Sequence, residues 1–361
     1  MSNKLLIGAD PEFFVKKDGK FISAYGLIEG TKKSPQKVLG GAVQVDGMAL
    51  EININPAETF EEFEGNYQSV MRHLRAMVSP EYEFSLVPVA DFDPNYIKQQ
   101  PEEARALGCD PDFNAYTGEA NNPPDAAKNF RTASGHFHLG WTEDEDIKNP
   151  EHIEACQMMT IQLDAGIGLK GLVYDPDPRR RELYGKAGAY RPKPYGVEYR
   201  VLSNFWLDSV AIRQELFKDI KWSYDQLIGG MDYNKVIGQG EAQRLINQND
   251  VRYGYEYAQY TVGRTDLLKK TYNNWVNNAH THAVGPEKAE LARQKRGVKR
   301  GLVDFEIGAG GLGFINNPWN LAGEMPPAAP RRAQGAEIAR QIREDEADVE
   351  AFLAEIGAQN A

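Results

Sequence analysis

Four short segments constrain the fold of this chain more than any other feature. In each of them apolar side chains alternate with carboxylates, imidazoles, amides or a guanidinium. Residues i and i+2 of a strand share a face, so each segment divides into one apolar and one functional face. In GADPEFFV, Asp10 and Glu12 fall together. In VQVDGMALEININ at 43–55, which carries a turn signal at Asp46-Gly47, Glu51, Asn53 and Asn55 oppose Leu50, Ile52 and Ile54. In SGHFHLGW at 134–141, His136 and His138 oppose Phe137 and Leu139. In VEYRVL at 197–202, Glu198 and Arg200 oppose Val197, Tyr199 and Val201. Strands of this kind build an antiparallel sheet with one face under helices and the other open.

The plain alternative for such a face is ordinary solvation. Solvated faces are mixtures rich in Lys, Thr, Ser and Gln, whereas these hold carboxylates, His and Asn with one Arg and no Lys. Gathered on one concave face, the acids would repel one another, and a divalent cation removes that cost. Oxygen-rich sets with an occasional imidazole suit magnesium or manganese. His-x-His is also a zinc pattern, but zinc takes a small set rich in His or Cys, and neither Cys109 nor Cys156 stands in metal-type spacing. One imidazole is expected as a ligand to a hard cation and the other as its support.

A second cluster is basic. Arg179, Arg180, Arg181, Lys186, Arg191, Lys193 and Arg200 crowd residues 179–200, with Gly185 and Gly188 between them. This reads either as a solvated loop or as an anion clamp, since guanidinium forks match phosphate oxygens and glycines admit a close backbone. The glycine stretch at 308–313 lacks the strand-to-helix context of a dinucleotide site. There is no P-loop and no nucleophile elbow. A carboxylate-lined sheet beside an arginine clamp suits ATP chemistry.

Around these segments the periodicity predicts helices over 59–77 (Phe60, Phe63, Tyr67, Val70, Met71, Leu74), 151–169, 208–228 and 264–296. A strand is expected at 84–90, and ordered loops at 92–130 and 174–196. The body is placed at 1–325. A Pro-rich hinge and an acidic helix at 326–361 follow, with a stripe of Ile338, Ile342, Val349, Phe352, Leu353 and Ile356. That stripe suits docking on the body or on a second copy, as in a homo-oligomer, and a loosely attached terminus is the equal alternative. The 361 residues carry a net charge of −11, which argues against nucleic-acid binding through phosphates. No apolar run approaches the roughly 20 residues of a membrane span. The N-terminal residues do not read as a signal peptide, and with two distant cysteines the expected compartment is the reduced cytoplasm.

GADPEF, DGMALEINI, SGHFHLGW and VEYRVLSNFW resemble, in this order, the signature segments of the phage-type carboxylate–amine ligases of type 2, the amidoligases. These belong to the glutamine synthetase and glutamate–cysteine ligase superfamily. The resemblance covers about residues 5–210 and, less closely, the chain to 320. It implies an α+β fold: a curved antiparallel sheet, or partial barrel, with helices on its outer face and ATP held across it by Mg2+ or Mn2+. It implies Asp10, Glu12, Asp46, Glu51, His136, His138 and Glu198 as metal ligands, with His136 preferred over His138. Arg191 and Arg200 would neutralise phosphate, Lys186 and Asn204 would join them at the nucleotide, and Arg131 would bind a substrate carboxylate. Glu51 is also among the residues implied in catalysis. Asp110, Asp112 and Asn114 are a weaker expectation for the substrate pocket. The implied activity joins a small-molecule or peptide carboxylate to an amine, in the host cytoplasm if the chain is phage-encoded. The amine pocket of the superfamily does not align. Two other readings share the sheet: a guanidino-kinase-like phosphotransferase and a non-catalytic binding module.

Overall fold

The computed structural model describes residues 4–105, 107, 112–122 and 128–284. The chain divides into two units: Met1–Leu227 with Asp232–Trp275, and Ile228–Met231 with the chain from Val276 onward. The sheet and the pocket belong to the first. Cys109, Asp110, the glycine stretch at 308–313 and the hinge and helix at 326–361 lie outside the described residues.

Among the described residues the strands are, in chain order, β1 (Leu6–Lys17), β2 (Lys20–Ile22), β3 (Gln36–Val38), β4 (Gly41–Asp46), β5 (Ala49–Ala57), β6 (Glu83–Ser85), β7 (Val89–Asp91), β8 (Phe113–Asn114), β9 (Phe130–Thr132), β10 (Gly135–Gly140), β11 (Ala189–Lys193) and β12 (Gly196–Tyr199). The main path runs β3-β4-β5-β1-β10-β12-β11-β8, and β7 pairs separately with β9. Neighbours are antiparallel throughout. This is the expected α+β class with a large antiparallel sheet that does not close. β1 is its spine: its first half pairs with β5 and β10, and its second half with β2 and β6.

Among the described residues the α-helices are α1 (Phe60–Met77), α2 (Pro94–Gln99), α3 (Glu102–Arg105), α4 (Pro150–Leu163), α5 (Leu169–Tyr174), α6 (Arg180–Leu183), α7 (Val210–Ile228), α8 (Tyr233–Ile237), α9 (Glu241–Asn247), α10 (Val251–Ala258) and α11 (Asp266–Val284). α1 starts where the sequence places it. Thr59 accepts a hydrogen bond from the Glu62 amide at 3.2 Å, and the Glu62 carboxylate accepts one from the Thr59 amide at 3.4 Å, a reciprocal cap. Its Phe63, Tyr67, Val70 and Leu74 are buried. Phe63 stacks on Phe137 of β10, 6.2 Å between ring centres, and leans on Trp206 and Phe217. The apolar face of the sheet is thereby covered and its polar face is left for the pocket. Gly135 permits this packing, because a Cβ there would meet the Ser203 carbonyl at 2.3 Å and Trp206 Nε1 at 2.4 Å. Among the described residues no helix is long and apolar enough to cross a membrane.

Several elements differ from expectation. The strand at 84–90 is two strands, β6 on β1 and β7 on β9. Pro88 lies between them: it has no N–H to continue a ladder, and its carbonyl accepts from Ala133 at 2.9 Å. The 151–169 helix passes into a π-helical turn, Asp164–Gly168, before α5. There the buried Asp164 accepts hydrogen bonds from Tyr199 (2.7 Å), Tyr116 (3.1 Å) and the Gly188 amide (2.6 Å). The loop at 92–130 contains α2, α3 and β8, and that at 174–196 contains α6 and β11. Arg191 therefore sits on a strand and not on a flanking loop. Pro192 is tolerated in β11 because β8 reaches only Ala189 and Tyr190, so the strand is an edge beyond them.

Candidate functional site

The polar face lines a pocket of about 380 Å³. Register brings its residues together across the sheet. Gly8, His138, Glu198 and Arg191 form one cross-strand row, and Asp10 faces His136 in the next. Glu12, Glu51 and Gln44 form a third row, with Asp46 at the end of β4 beside it. Two groups of potential ligands result: Asp10, His138 and Glu198, and separately Glu12, Asp46 and Glu51. In each, the ligating atoms lie within 4.8 Å of one another.

The electrostatics of the two groups differ. In the first, burial would raise Asp10, but His138 and His136 override it and hold the carboxyl well below its ordinary range. His138 Nε2 is 3.2 Å and His136 Nδ1 is 3.4 Å from its oxygens. Burial likewise opposes ionisation of Glu198, and Arg200 overrides it and keeps the carboxylate charged. Arg200 bonds Glu198 through Nη1 and Asp112 through Nε, the latter at 3.1 Å. Arg191 at 3.4 Å and Lys193 at 2.8 Å also reach Glu198. Burial and Arg200 push the His136 imidazole down to about 4, so it is neutral, whereas Asp10 raises His138 against its burial. In the second group the acids face one another. Burial and the Asp46 charge push Glu12 up to about 7, although the Ser134 amide donates to it at 2.8 Å. Burial, then Asp10, Asp46 and Glu12, raise Glu51 well above its ordinary range. The cation beside this group is Lys32, 2.8 Å from Asp46.

The residues fit a hard divalent cation. Both groups are oxygen-rich, and one includes an imidazole. Glu12 and Glu51 lack enough counter-charge to ionise freely near neutrality. The buried Nε2 of His136 has no hydrogen-bond partner. His138 is in the first of these groups, and His136 stands beside it, its Nδ1 3.4 Å from Asp10.

The other expected residues divide. Arg131 is buried and lines the pocket; its Nη1 donates to the Lys128 and Phe130 carbonyls at 2.7 and 2.9 Å, and its Nε is buried without a partner. The hydroxyl of Tyr184, on the same wall, is also buried without one. Lys186 is exposed and does not line the pocket. Asn204 is fully buried behind the strand, where Nδ2 donates to the Glu12 carbonyl at 2.9 Å and the Val87 carbonyl at 3.3 Å; it fixes the backbone that carries Glu12. Arg179, Arg180 and Arg181 do not line the pocket and pair within the chain. Arg179 pairs with Asp177 and Asp91, and Arg181 bonds Asn249. Arg180 holds the Val201 and Leu202 carbonyls at 2.6 and 2.8 Å, fastening the chain just after Arg200. Gly185 makes room for the Arg180 guanidinium, not for a phosphate: a Cβ there would meet Nη1 at 1.7 Å. Asn114 lies on the edge strand β8 and caps its own turn at Tyr116. The sequence reading missed Lys32, Gln44 and Tyr184 as pocket residues. For Lys193 a signal existed, since it shares the strand face of Arg191.

No family model and no curated protein matches this chain. Among solved structures it is similar to a bifunctional glutathione synthetase from Pasteurella multocida, at 9% identity over 82% of this chain and 52% of that one, with a TM-score of 0.37. It is also similar to a novel glutamine synthase homolog, at 10% identity over 75% of this chain and 71% of that one, with a TM-score of 0.27. The chain thus spans about half the length of the first of these.

Proposed function

We propose that this chain is an ATP-dependent carboxylate–amine ligase of the amidoligase kind, built on a glutamine-synthetase-like sheet. The observation that carries the reading is the placement of two cation-competent carboxylate groups beside a guanidinium wall on one face of one sheet. Asp10, His138 and Glu198 would hold one Mg2+ or Mn2+, and Glu12, Asp46 and Glu51 a second. Such ions would supply positive charge against the phosphates of ATP.

The chain's own residues do the rest. Arg200, locked between Glu198 and Asp112, presents a guanidinium whose geometry is set before the nucleotide arrives, and Arg191 adds charge from the next strand. Arg131 Nε and the Tyr184 hydroxyl, in the lining of the same pocket, supply unspent donors for the carboxylate of the acid substrate. A carboxylate resists attack by an amine because its oxygen is a poor leaving group. Its oxygen therefore attacks the γ-phosphorus, the bond from that phosphorus to the bridging oxygen breaks, and ADP leaves. The amine nitrogen then attacks the acyl carbon, the carbon–oxygen bond to phosphate breaks, and the nitrogen loses a proton as the amide forms.

The test is an ADP-release screen over pairs of acids and amines, followed by mass measurement of the product. ADP release that needs both partners and yields their dehydrated adduct is expected. Release with a guanidino compound alone, and no amide, would replace this reading with a phosphotransferase.

A further inference from the structure

Each carboxylate group of the pocket carries one lysine. Lys32, in the Thr31–Ser34 turn ahead of β3, sits 2.8 Å from Asp46, and Lys193, at the end of β11, sits 2.8 Å from Glu198. Lys32 serves the Glu12–Asp46–Glu51 group and Lys193 the Asp10–His138–Glu198 group, so two elements distant in sequence perform the same task once each. We infer that these lysines are exchangeable counter-ions: each neutralises a carboxylate group, yields it to a divalent cation, and then pairs with the polyphosphate that the cation brings. The inference rests on the reading of the pocket as a site for divalent cations and a nucleoside triphosphate.

The crowding of cations on Glu198 shows why one of them gives way to a metal. Its Oε1 is taken by Arg200 and Arg191, and its Oε2 by Lys193. A carboxylate offers about four lone-pair sites, so a metal on the remaining one would share Oε2 with the Lys193 ammonium, and the repulsion between the two cations favours displacing one of the three. Arg200 is 9% exposed and tied to Asp112 as well, and Arg191 is 16% exposed, whereas Lys193 is 31% exposed. Lys32 is freer still, at 40% exposed. Lysine is a hydrated point charge on a flexible stem, so it moves at low cost where a planar, doubly bonded guanidinium does not. Once displaced, both ammonium groups stand at the rim of a pocket whose ligand is a polyanion. Removing either carboxylate partner would strand charge; replacing it with a metal does not. Independent of the acids, the buried and unpartnered Nε2 of His136 in the same wall marks a place prepared for a ligand.

The inference is tested on the full chain with Lys32→Met and Lys193→Met. Lys17→Met, which removes an equal charge from a surface pair with Glu81, serves as control. Free Mn2+ is followed by electron paramagnetic resonance without nucleotide, and then the imido analogue of ATP is titrated at saturating Mn2+. Each pocket variant should bind Mn2+ about fivefold or more tightly and the analogue about fivefold or more weakly, shrinking the coupling between the two ligands. The control should match the wild type. Should Lys193→Met not fold, Lys193→Gln keeps a polar stem and the same expectation. Tighter Mn2+ with unchanged analogue affinity would overturn the exchange, leaving the lysines as counter-ions only. Unchanged or weaker Mn2+ binding in both variants, with normal binding by the wild type, would overturn the inference alone. A wild type that binds no Mn2+ would overturn it together with the proposed function.

Discussion

Arg200 is gripped from two sides, by Glu198 along its own strand and by Asp112 from the segment before β8. A lysine keeps the charge and loses the fork. Arg200→Lys should therefore lower turnover on the order of a hundredfold, as loss of a preorganised donor does, with a small change in melting temperature. ADP release with a confirmed acid–amine pair checks this, and near-normal turnover would remove Arg200 from the phosphate. Glu12 gives a second prediction. In the folded metal-free chain it holds its proton up to about pH 7, against 4.5 for an ordinary glutamate. The folded state binds more protons between those values, so this contribution to stability is whole below pH 4.5 and is lost as pH rises through 7, on the order of 3 kcal/mol at most. Denaturant titrations of metal-free protein from about pH 5 to pH 8 should show the fall, and Glu12→Gln should flatten it. That Asp10, Glu12, His136, His138 and Glu198 line one pocket was legible in the sequence, because strand alternation fixes which residues share a face. Lys32 was not, since it lies in a turn where no period constrains direction. Asn204 and Lys186 were misplaced because residue type alone does not distinguish a ligand from a scaffold group.

Elements with a strong period or cap were read well, and those broken by proline or glycine were not. α1 announced itself by Thr59, Glu62 and its buried stripe. β11 hid behind Gly185, Gly188 and Pro192, because turn residues dominate a short strand on the sheet edge. The single strand expected at 84–90 ignored the missing donor of Pro88. Two substitutions follow from these elements. Thr59→Ala should cost about 1 kcal/mol in a denaturant titration and leave Mn2+ affinity unchanged, since α1 lies on the apolar side of the sheet. Gly135→Ala should do more harm: its Cβ would strike the Ser203 carbonyl and Trp206, displacing the start of β10 that carries His136 and His138. Lower stability together with weaker Mn2+ binding is expected, and a variant with normal binding would show that β10 yields without moving its histidines.

For the whole molecule, the described pocket residues run only from Asp10 to Arg200. Ending the chain near Gly323 should therefore leave Mn2+ and nucleotide binding intact, as calorimetry would show. Loss of binding in a folded truncation would place part of the later chain in the site. The same pocket links ligand to stability: at about a hundredfold excess over its dissociation constant, Mn2+ should add about 2.7 kcal/mol, visible as a higher melting temperature that chelator reverses. The central position of β1 has a further consequence for how the chain is made. Its partner Gly140 follows Leu6 by more than a hundred positions, and at ordinary ribosomal speed that interval lasts on the order of ten seconds. During it β1 can zip to β2 and to the β4–β5 hairpin, but the edge meant for β10 stays bare. A nascent chain with that bare strand edge is a template for neighbours on the same message, so this protein should depend on chaperones most between the synthesis of β1 and that of β10.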